Sequence, residues 1–311
     1  MILTVTMNPS IDTAYRLEQL KIDDVNRVVP KKTAGGKGIN TSRVLGQLGD
    51  DVLACGLAGG HMGAYLLELL DADGIGSCFT PVAGETRVCV NILHEGNQTE
   101  FLECGPEVKS DELDAFMETF GELAGQAECI TISGSLPRGV PTDCYARLVG
   151  IADAVGVPVL LDSSGAALDA ALAAKARPTL IKPNLTEANG LLGTAFAADE
   201  LPALRGAIEG DGRLAGIPWV VVSLGAAGSV AFHEGEAWRV IMPRVEAKNP
   251  TGSGDATIAG FAHAIVVGAG PEELLRCGNT CGTLNAMDPG TGHLAIEHWD
   301  EVYEAACVSR M

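Results

Sequence analysis

Short runs of β-branched and apolar residues alternate along this chain with stretches that have a helical pattern. Six runs are predicted strands, at residues 2–7, 52–57, 130–133, 157–161, 179–181 and 219–223. Several are apolar throughout, which is typical of strands that are covered on both faces. Helical patterns lie between them, at 38–48, 63–72, 111–124, 143–155, 187–192 and 201–209. This order predicts right-handed βαβ crossovers and an α/β fold with a mostly parallel sheet.

Two regions depart from this alternation before the chain becomes mainly helical at 256–267, 272–287 and 297–307. The stretch 13–30 is too polar for a buried element, and residues 86–93 and 98–103 resemble a hairpin around 94–97. We expect a small β-sheet lid, with strands inserted at about 13–30 and 86–103, in a single domain that spans 1–311. Such a lid would cover the sheet edge where ligands of open α/β sheets bind. The alternative is two ordinary surface loops.

Charge and cysteine usage limit the partners of the chain. The net charge is −19, which disfavours nucleic acid and anionic membranes because both require a basic face. The nine cysteines are scattered without a CxxC pair, and we expect reduced thiols in a cytoplasm. Cys277 and Cys281 have a spacing that permits a shared metal, but core packing is the favoured interpretation. We expect neither a signal peptide nor a membrane span.

The segment Thr-Gly-Ser-Gly-Asp at 251–255 comes directly before an apolar helical run. Backbone N–H groups at the start of a helix form an anion site, and glycines let that backbone approach a phosphoryl group closely. Asp255 is then near enough to take a proton from an attacking hydroxyl. From this segment alone, a simple helix cap explains Asp255 equally well.

The segment Ala-Gly-Gly-Lys-Gly-Ile-Asn at 34–40 resembles a phosphate-binding Walker A loop but fails its test. Gly38 follows Lys37 where Ser or Thr should bind Mg²⁺. Lys37 can still meet a phosphate and Asn40 a hydroxyl, although a glycine turn with a solvated lysine is the alternative. The glycines at 56–63 nearly match a dinucleotide fingerprint, but Ala58 occupies the second glycine position, so we do not expect NAD binding.

Two further residues and two short segments lie where strands end or where the hairpin is predicted. Asp12 follows the first strand and can accept hydrogen bonds from two neighbouring sugar hydroxyls, or it is a turn aspartate. Arg87 can clamp a phosphate with two parallel hydrogen bonds, or it is a solvated strand arginine. The segment 182–187 begins a helix after a buried strand and can serve a triphosphate and Mg²⁺. Residues 223–228 can form an adenine-side wall.

Together these segments resemble the ribokinase-like (PfkB) carbohydrate kinases over essentially the whole chain. The two signatures at 35–40 and 251–255 stand in the family's order, and both together are more specific than either alone. The resemblance implies a ribokinase-like three-layer α/β/α domain with a mostly parallel central sheet and a small β-sheet lid. Segments at 2–10, 23–28, 84–87 and 132–137 are similar to the branch of tagatose-6-phosphate kinases and 1-phosphofructokinases. Segments at 94–100, 284–286 and 291–293 favour the tagatose-6-phosphate side.

The resemblance also implies roles for individual residues. It makes Asp255 the catalytic base, with an anion hole formed by Gly252, Ser253 and Gly254. The sugar phosphate is held by Asp12, Gly36, Lys37 and Asn40, and its phosphate end by Arg87 and Ser135. The residues implied to bind ATP are Lys182, Asn184, Ser223, Leu224, Gly225, Gly228 and Asn279. Glu187 would meet Mg²⁺ through the nucleotide or water.

These roles predict an ATP- and Mg²⁺-dependent kinase that converts tagatose 6-phosphate to tagatose 1,6-bisphosphate. The alternative is a 1-phosphofructokinase, which phosphorylates fructose 1-phosphate. A hypothesis from a different class is a non-catalytic sugar-phosphate sensor, which the intact Asp255 disfavours because a sensor needs no base. The resemblance further implies a homodimer that pairs through the lid strands.

Overall fold

Ten strands form the main sheet of the computed structural model, which describes all residues from 1 to 311. The sheet order is β14-β13-β12-β11-β10-β9-β8-β1-β4-β5. The seven strands from β11 to β5 are mutually parallel, and β12, β13 and β14 add to one edge in antiparallel fashion. The strands of this sheet are β1 (Ile2–Thr6), β4 (Val52–Gly59), β5 (Gly76–Val82), β8 (Cys129–Ser133), β9 (Val159–Asp162), β10 (Leu180–Ile181), β11 (Trp219–Ser223), β12 (Ser229–His233), β13 (Glu236–Ile241) and β14 (Cys307–Arg310).

Helices cover both faces of the main sheet. They are α1 (Lys37–Leu48), α2 (Gly60–Ala72), α3 (Ser110–Ala124), α4 (Cys144–Ala154), α5 (Gly165–Ala173), α6 (Leu185–Leu192), α7 (Leu201–Gly210), α8 (Ser253–Val266), α9 (Pro271–Met287) and α10 (Trp299–Ala305). Successive strand residues point to opposite faces, so Leu3 and Leu161 join a core with α3, α4, α5 and α7, while Ile2 and Leu160 join a core with α1, α8, α9 and α10. Because both faces are covered, central strands such as β8 and β11 are largely apolar runs in the sequence.

A second, small sheet has the order β3-β2-β6-β7. Its strands are β2 (Ser10–Leu17), β3 (Lys31–Gly35), β6 (Arg87–His94) and β7 (Asn97–Leu102). The hairpin of β6 and β7 turns at Glu95 and Gly96, which both have positive φ, as a two-residue turn of this kind requires. The predicted α/β fold with a mostly parallel main sheet and a small sheet is confirmed.

The first insertion differs from its predicted position. Residues 18–30 contain no strand, because the strand ends at Leu17 and the next begins at Lys31. Polar side chains dominate this stretch, and local contacts hold it: Asn26 accepts a hydrogen bond from the backbone N–H of Lys21 at 2.9 Å and donates one to its carbonyl at 2.7 Å. The polarity therefore indicates a connection between two strands.

Other differences have local causes. The predicted helix at 297–307 is interrupted, since α10 ends at Ala305 and the chain then pairs with β13 as β14. Strand β5 was not predicted because it contains Pro81, which an edge strand tolerates since one side needs no ladder hydrogen bonds. No helix combines the length and the apolar character that a membrane crossing needs, and all nine cysteines are free.

Candidate active site

A cleft of about 1670 Å³ lies between the small sheet and the C-terminal ends of the parallel strands. The small sheet contributes residues of β2, β3, β6 and β7, and the main sheet contributes Asp162, Lys182 and Ser223 from the ends of β9, β10 and β11. This edge is where open α/β sheets bind ligands, because strand ends and helix N-termini converge there.

Most of the predicted site residues line this cleft, although they come from segments spread over most of the chain. The lining residues among them are Asp12, Gly36, Lys37, Asn40, Arg87, Lys182, Asn184, Glu187, Ser223, Gly225, Gly228, Gly252, Ser253, Gly254, Asp255 and Asn279. Two predicted residues do not line it. Ser135 is exposed and meets the Asn8 side chain at 3.4 Å, and the Leu224 side chain packs in the apolar core.

Asp255 is the third residue of α8 and is only 6% exposed. The helix cap is Gly252, at φ 84°, and the Asp255 carboxylate instead accepts a hydrogen bond from Asn40 Nδ2 at 2.9 Å. A simple capping role is therefore excluded. Burial raises the pKa of Asp255 to about 7, and the neighbouring Asp162 carboxylate adds to the rise. A carboxylate with this pKa is suited to accept a proton near neutral pH.

The first turn of α8 presents open hydrogen-bond donors beside that carboxylate. The N–H of Ser253 donates to Pro250, and that of Ala256 donates to Gly252, but the N–H groups of Gly254 and Asp255 have no backbone acceptor. Such donors, together with the helix dipole, favour a bound anion. The glycine at 252 is required, because an added Cβ would lie 2.7 Å from the Thr291 side chain in addition to the positive φ.

Asp162, at the end of β9, was not predicted from the sequence. It is 3% exposed, and its two carboxylate oxygens lie 3.3 Å from Lys37 Nζ and 3.7 Å from Lys182 Nζ. Burial alone would lower the pKa of Lys37, but the carboxylates of Asp162, Asp255 and Glu187 raise it. The Lys37 ammonium group therefore stays charged at the cleft. Position was the available signal, because Asp162 directly follows the predicted strand at 157–161.

Lys182 also lies close to residues 251–254 at the start of α8, the anion loop. A Cβ placed on Gly254 would come within 3.2 Å of Lys182 Nζ, so this ammonium group contacts the backbone of the first turn of α8. Lys182 is buried at 4% exposure. An anion bound at the α8 N-terminus would meet a fixed positive charge in addition to the open N–H groups.

The small sheet contributes Asp12 and Arg87. The Ser10 hydroxyl donates to Asp12 Oδ1 at 2.6 Å, and burial raises the pKa of Asp12, against the effects of that hydrogen bond and of Arg87. Arg87 donates to the carbonyls of Asn8 and Glu103 at 3.0–3.2 Å, which fixes the guanidinium plane at the cleft. Gly35 is necessary beside this pair, since an added Cβ would lie 2.1 Å from the Asp12 carboxyl carbon.

Asn184 and Glu187 cap α6 reciprocally. The Glu187 N–H donates to Asn184 Oδ1 at 2.9 Å, and the Asn184 N–H donates to Glu187 Oε2 at 2.8 Å. Each side chain keeps one polar atom free toward the cleft. No group of three His, Cys, Asp or Glu side chains has the arrangement of a metal site. This donor set fits a Mg²⁺ ion carried largely by nucleotide phosphates and water, because Mg²⁺ keeps several waters and takes one or two carboxylates.

The far end of the cleft is lined by Asn279, which the resemblance implied, and by residues that the sequence did not indicate. The segment 242–250, which connects β13 to α8, forms one wall, and Asn279, Gly282 and Thr283 of α9 form another. Asn279 is 8% exposed and donates to the Leu275 carbonyl at 2.8 Å. Connections of this kind have no local pattern, so their place at the cleft follows only from the fold.

Two buried polar residues behind the cleft were also missed. Arg43 donates to the Asn40 side chain at 3.2 Å and to the Ala34 carbonyl at 2.8 Å. Asn285 donates to the Thr251 carbonyl at 2.9 Å. Arg43 thereby orients Asn40, which in turn binds Asp255, and Asn285 holds the anion loop. Arg43 had no sequence signal, because it lies inside a helix at a position typical of an ordinary polar residue. Asn285 belongs to the segment 284–286, which indicated only the branch of the family and no role for this residue.

Comparisons with known proteins agree with this geometry. A model of the pfkB family of carbohydrate kinases matches residues 5–298. A putative phosphofructokinase from Staphylococcus aureus is 30% identical, with a TM-score of 0.84 over 100% of this chain and 99% of that chain. Phosphofructokinase-2 from Escherichia coli, solved with fructose-6-phosphate, is 28% identical, with a TM-score of 0.86 over 97% and 98%. A possible 1-phosphofructokinase from Thermotoga maritima is 25% identical, with a TM-score of 0.88 over 100% and 99%.

The family match covers almost the whole chain, and the similar structures cover nearly their full length as well. The main sheet, the small sheet and the cleft between them are thus parts of one ribokinase-like fold. The chain belongs to the pfkB family of carbohydrate kinases.

Proposed function

We propose that this carbohydrate kinase transfers the γ-phosphoryl group of ATP to a hydroxyl of a ketohexose monophosphate. The observation that carries the proposal is the start of α8, where a buried carboxylate without a capping role stands beside two open N–H groups. A base next to an anion site is what phosphoryl transfer to a hydroxyl requires.

In the proposed reaction, Asp255 accepts the proton of the attacking hydroxyl. The hydroxyl oxygen forms a bond to the γ-phosphorus in line with the bond to the β-phosphate oxygen, which breaks and releases ADP. The N–H groups of Gly254 and Asp255 and the ammonium group of Lys182 stabilise the charge on the transferring group. Mg²⁺, when bound with the nucleotide, neutralises charge on the phosphate oxygens. Asn40 orients the base through its 2.9 Å hydrogen bond.

The small sheet serves, in this proposal, as the sugar-phosphate side and as a lid. Arg87 meets the phosphate of the substrate, because its guanidinium group is already fixed at the cleft by the Asn8 and Glu103 carbonyls. Asp12 accepts hydrogen bonds from sugar hydroxyls. Lys37 reaches from the sugar side toward the reacting hydroxyl, since its Nζ lies 3.3 Å from the Asp162 carboxylate.

The preferred substrate in this proposal is tagatose 6-phosphate, whose 1-hydroxyl attacks to give tagatose 1,6-bisphosphate. Support comes from the segments 94–100 and 291–293, which are similar to the tagatose-6-phosphate branch. Fructose 1-phosphate is the second candidate, favoured by the similarity to the Thermotoga protein. The two substrates place the fixed phosphate at opposite ends, so different hydroxyls face Asp255.

The nucleotide occupies the other half of the cleft. Lys182, Asn184 and Glu187 serve its phosphates and Mg²⁺, since each keeps a polar atom at the cleft. The turn at 223–228 and Asn279 flank the adenosine. For Leu224 the contribution is limited to the shape of the turn, because its N–H donates to the Gly228 carbonyl at 2.8 Å and its side chain is buried.

A homodimer through the small sheet is also proposed. Phe101 and Leu102 on β7 are 59% and 62% exposed, and Ile22, Val25 and Val29 are exposed in the segment between β2 and β3. Exposed apolar side chains on the small sheet and its β2–β3 connection favour an interaction surface. Sedimentation equilibrium of Phe101→Asp against the wild type tests it, and an unchanged oligomeric state would contradict the use of this surface.

One experiment tests the activity. ADP release is measured with ATP, Mg²⁺ and a panel of tagatose 6-phosphate, fructose 1-phosphate, fructose 6-phosphate and the unphosphorylated sugars, with Asp255→Asn as the inactive control. Turnover of a ketohexose phosphate is expected, and sugar-phosphate binding without ADP release would favour the sensor. Lys37→Ala and Arg87→Ala should mainly raise the KM for the sugar phosphate. An unchanged KM in either variant would show that the assignment of that residue to the sugar-phosphate site is wrong.

A further inference from the structure

The loop that follows α9 places the imidazole of His293 in the wall of the cleft. The ring is partly buried, and its nitrogens are not among the buried polar atoms that lack a hydrogen bond. They are thus open to the cleft and available to a ligand. His293 has no place in the chemistry described above.

The backbone on both sides of His293 is fixed by two amide side chains. The N–H of Gly292 donates to Asn285 Oδ1 at 2.9 Å, and its carbonyl accepts from Gln47 Nε2 at 3.0 Å. The N–H of Leu294 donates to Gln47 Oε1 at 3.0 Å. Three hydrogen bonds from two helices thus bracket one residue, and the ring is held at the cleft by the fold.

Gly292 brings this loop into direct contact with α1. Its φ is +69°, and an added Cβ would lie 3.1 Å from both Arg43 Nη1 and the Asn40 Cα atom. Only glycine permits this approach. His293 therefore follows a residue that touches the same Asn40 whose side chain binds Asp255.

The same bracket is connected to the anion loop. Asn285 accepts from Gly292 and donates to the Thr251 carbonyl at 2.9 Å and to Ser253 Oγ at 3.2 Å. The position of His293 is thereby fixed relative to the start of α8. A ligand group held by the ring would be held at a set distance from the base.

The opposite wall of the cleft at this end belongs to the small sheet. Lys31 and Thr33 of β3 line it, and Thr33 is paired with Asp12 across the β2–β3 ladder. The charge of Lys31 also acts on the His293 ring, so His293 and Asp12 border the same end of the cleft. This is the end assigned to the sugar.

The charge state of the ring suits a hydroxyl. Burial lowers the pKa of His293 and the positive charge of Arg43 lowers it further, while Asp288 raises it in part and Lys31 and Asp73 have smaller, opposing effects. A neutral imidazole has one N–H donor and one bare nitrogen acceptor. It can bind a hydroxyl in either sense, whereas a phosphate would call for a cation.

We propose that His293 is a specificity-determining residue that hydrogen-bonds a ring hydroxyl of the bound ketohexose phosphate. The inference rests on the proposed function and assigns to its sugar site a contact on the wall opposite Asp12. Tagatose 6-phosphate and fructose 6-phosphate differ only in the configuration of one ring hydroxyl, at C4. Because the backbone of His293 is fixed, the reach of its ring is limited, and two sugars that differ at C4 would be bound unequally.

The test compares wild type, His293→Ala, His293→Asn and His293→Gln on the ketohexose phosphate that the wild type uses best. His293→Ala is expected to raise the KM for the sugar phosphate about 10-fold, as the loss of a neutral hydrogen bond to a buried partner implies. The kcat should stay within about 3-fold and the KM for ATP should not change, since the contact is made equally in ground and transition states. At least one of the two amide variants should recover part of the affinity. His61→Ala, on the exposed side of α2, is the matched control and should match the wild type.

Deoxy analogues of the sugar phosphate identify the contact. When the analogue lacks the hydroxyl that His293 binds, wild type and His293→Ala should have equal KM values. The inference would be overturned if wild type and His293→Ala still differed in KM on every deoxy analogue, or if neither amide variant recovered affinity. The ring would then have a structural role. An unaffected KM in His293→Ala would do so too, while the kinase proposal stands. Absence of turnover of any sugar phosphate by the wild type would instead refute the proposed function and the inference with it.

Discussion

Replacing Asp255 by Asn is expected to remove the activity and to stabilise the protein at the same time. The carboxylate is 6% exposed, and burial with the nearby Asp162 raises its pKa to about 7, from the 3.8 of an exposed aspartate. Between these two pH values the folded protein holds a proton that the unfolded chain has released. The stability of the wild type therefore falls as the pH rises from about 4 to about 7.

The size of the effect follows from the two pKa values. Their difference of about 3 units corresponds to a free energy on the order of 4 kcal/mol at pH 8, at 1.36 kcal/mol per unit. An asparagine side chain has the shape of the protonated carboxyl group and no charge to bury. It can also rotate its amide to present Oδ1 to Asn40, which keeps the 2.9 Å hydrogen bond. The Asp255→Asn variant is thus expected to equal the wild type near pH 4 and to exceed its free energy of unfolding increasingly up to about pH 8.

The activity changes in the opposite direction. An amide cannot accept the proton of the attacking hydroxyl, so kcat should fall about 10³-fold or more, as the removal of a general base predicts. This loss corresponds to about 4 kcal/mol of transition-state stabilisation. Substrate affinity should be largely kept. The buried Asp255 carboxylate thus makes the folded protein less stable than an asparagine would, while it supplies the base that the reaction needs.

Urea unfolding of both proteins at pH 5 and pH 8 measures the first effect, and ADP release measures the second. Asp114→Asn, on the exposed surface of α3, is the control and should show no pH-dependent difference from the wild type. A difference between Asp255→Asn and wild type that stays flat from pH 5 to pH 8 would refute the reasoning about burial. Near-normal turnover would refute the role of the base.

Three further predictions concern the site and its support. The kcat/KM of the wild type should fall below about pH 7, because Asp255 must be unprotonated to act as a base, and a flat profile from pH 5.5 to 8 would contradict this role. Asp162→Asn should move that acidic limb to lower pH, because it removes a negative charge that raises the pKa of Asp255. It should also lower kcat, since Lys37 and Lys182 lose the carboxylate that holds them. An acidic limb at an unchanged pH would argue against the coupling of Asp162 and Asp255. Gly260→Ala should destabilise the fold by about 1–3 kcal/mol in thermal unfolding, because an added Cβ would lie 2.7 Å from the facing helix backbone, whereas the control Gly46→Ala, with nothing within 4 Å, should be neutral or stabilising.

The sequence predicted the main sheet well because its evidence is local. Apolar runs such as 130–133 and 219–223 belong to strands buried on both faces, and glycine turns mark their ends. The strands β12 and β13 were missed although Glu234 and Gly235 form a turn with positive φ, since their pattern is mixed. Strand β14 exists only because β13 offers a partner edge, which no local pattern predicts.

For the site, the sequence supplied the residue types and the fold supplied the distances. Asp255 was equally explained as a cap until its hydrogen bond with Asn40 and the cap at Gly252 were visible. Asp162 shows the limit of motif reasoning, because a lone aspartate at a strand end belongs to no signature. Its importance comes from two lysines that lie 125 and 20 residues away in sequence.

Three glycines that pack against site residues restrict how the sugar preference of this chain can be altered. An added Cβ on Gly35, Gly38 or Gly252 would lie 2.1–2.7 Å from Asp12, Thr6 or Thr291. Random mutagenesis of these positions would yield mostly misfolded products. Libraries for a new acceptor should instead vary the walls, at the residues of β2 and β6 that face the cleft and at His293. In this protein, the backbone at these glycines fixes the positions of the reacting groups, and a few side chains on the cleft walls can be changed to accept other sugars.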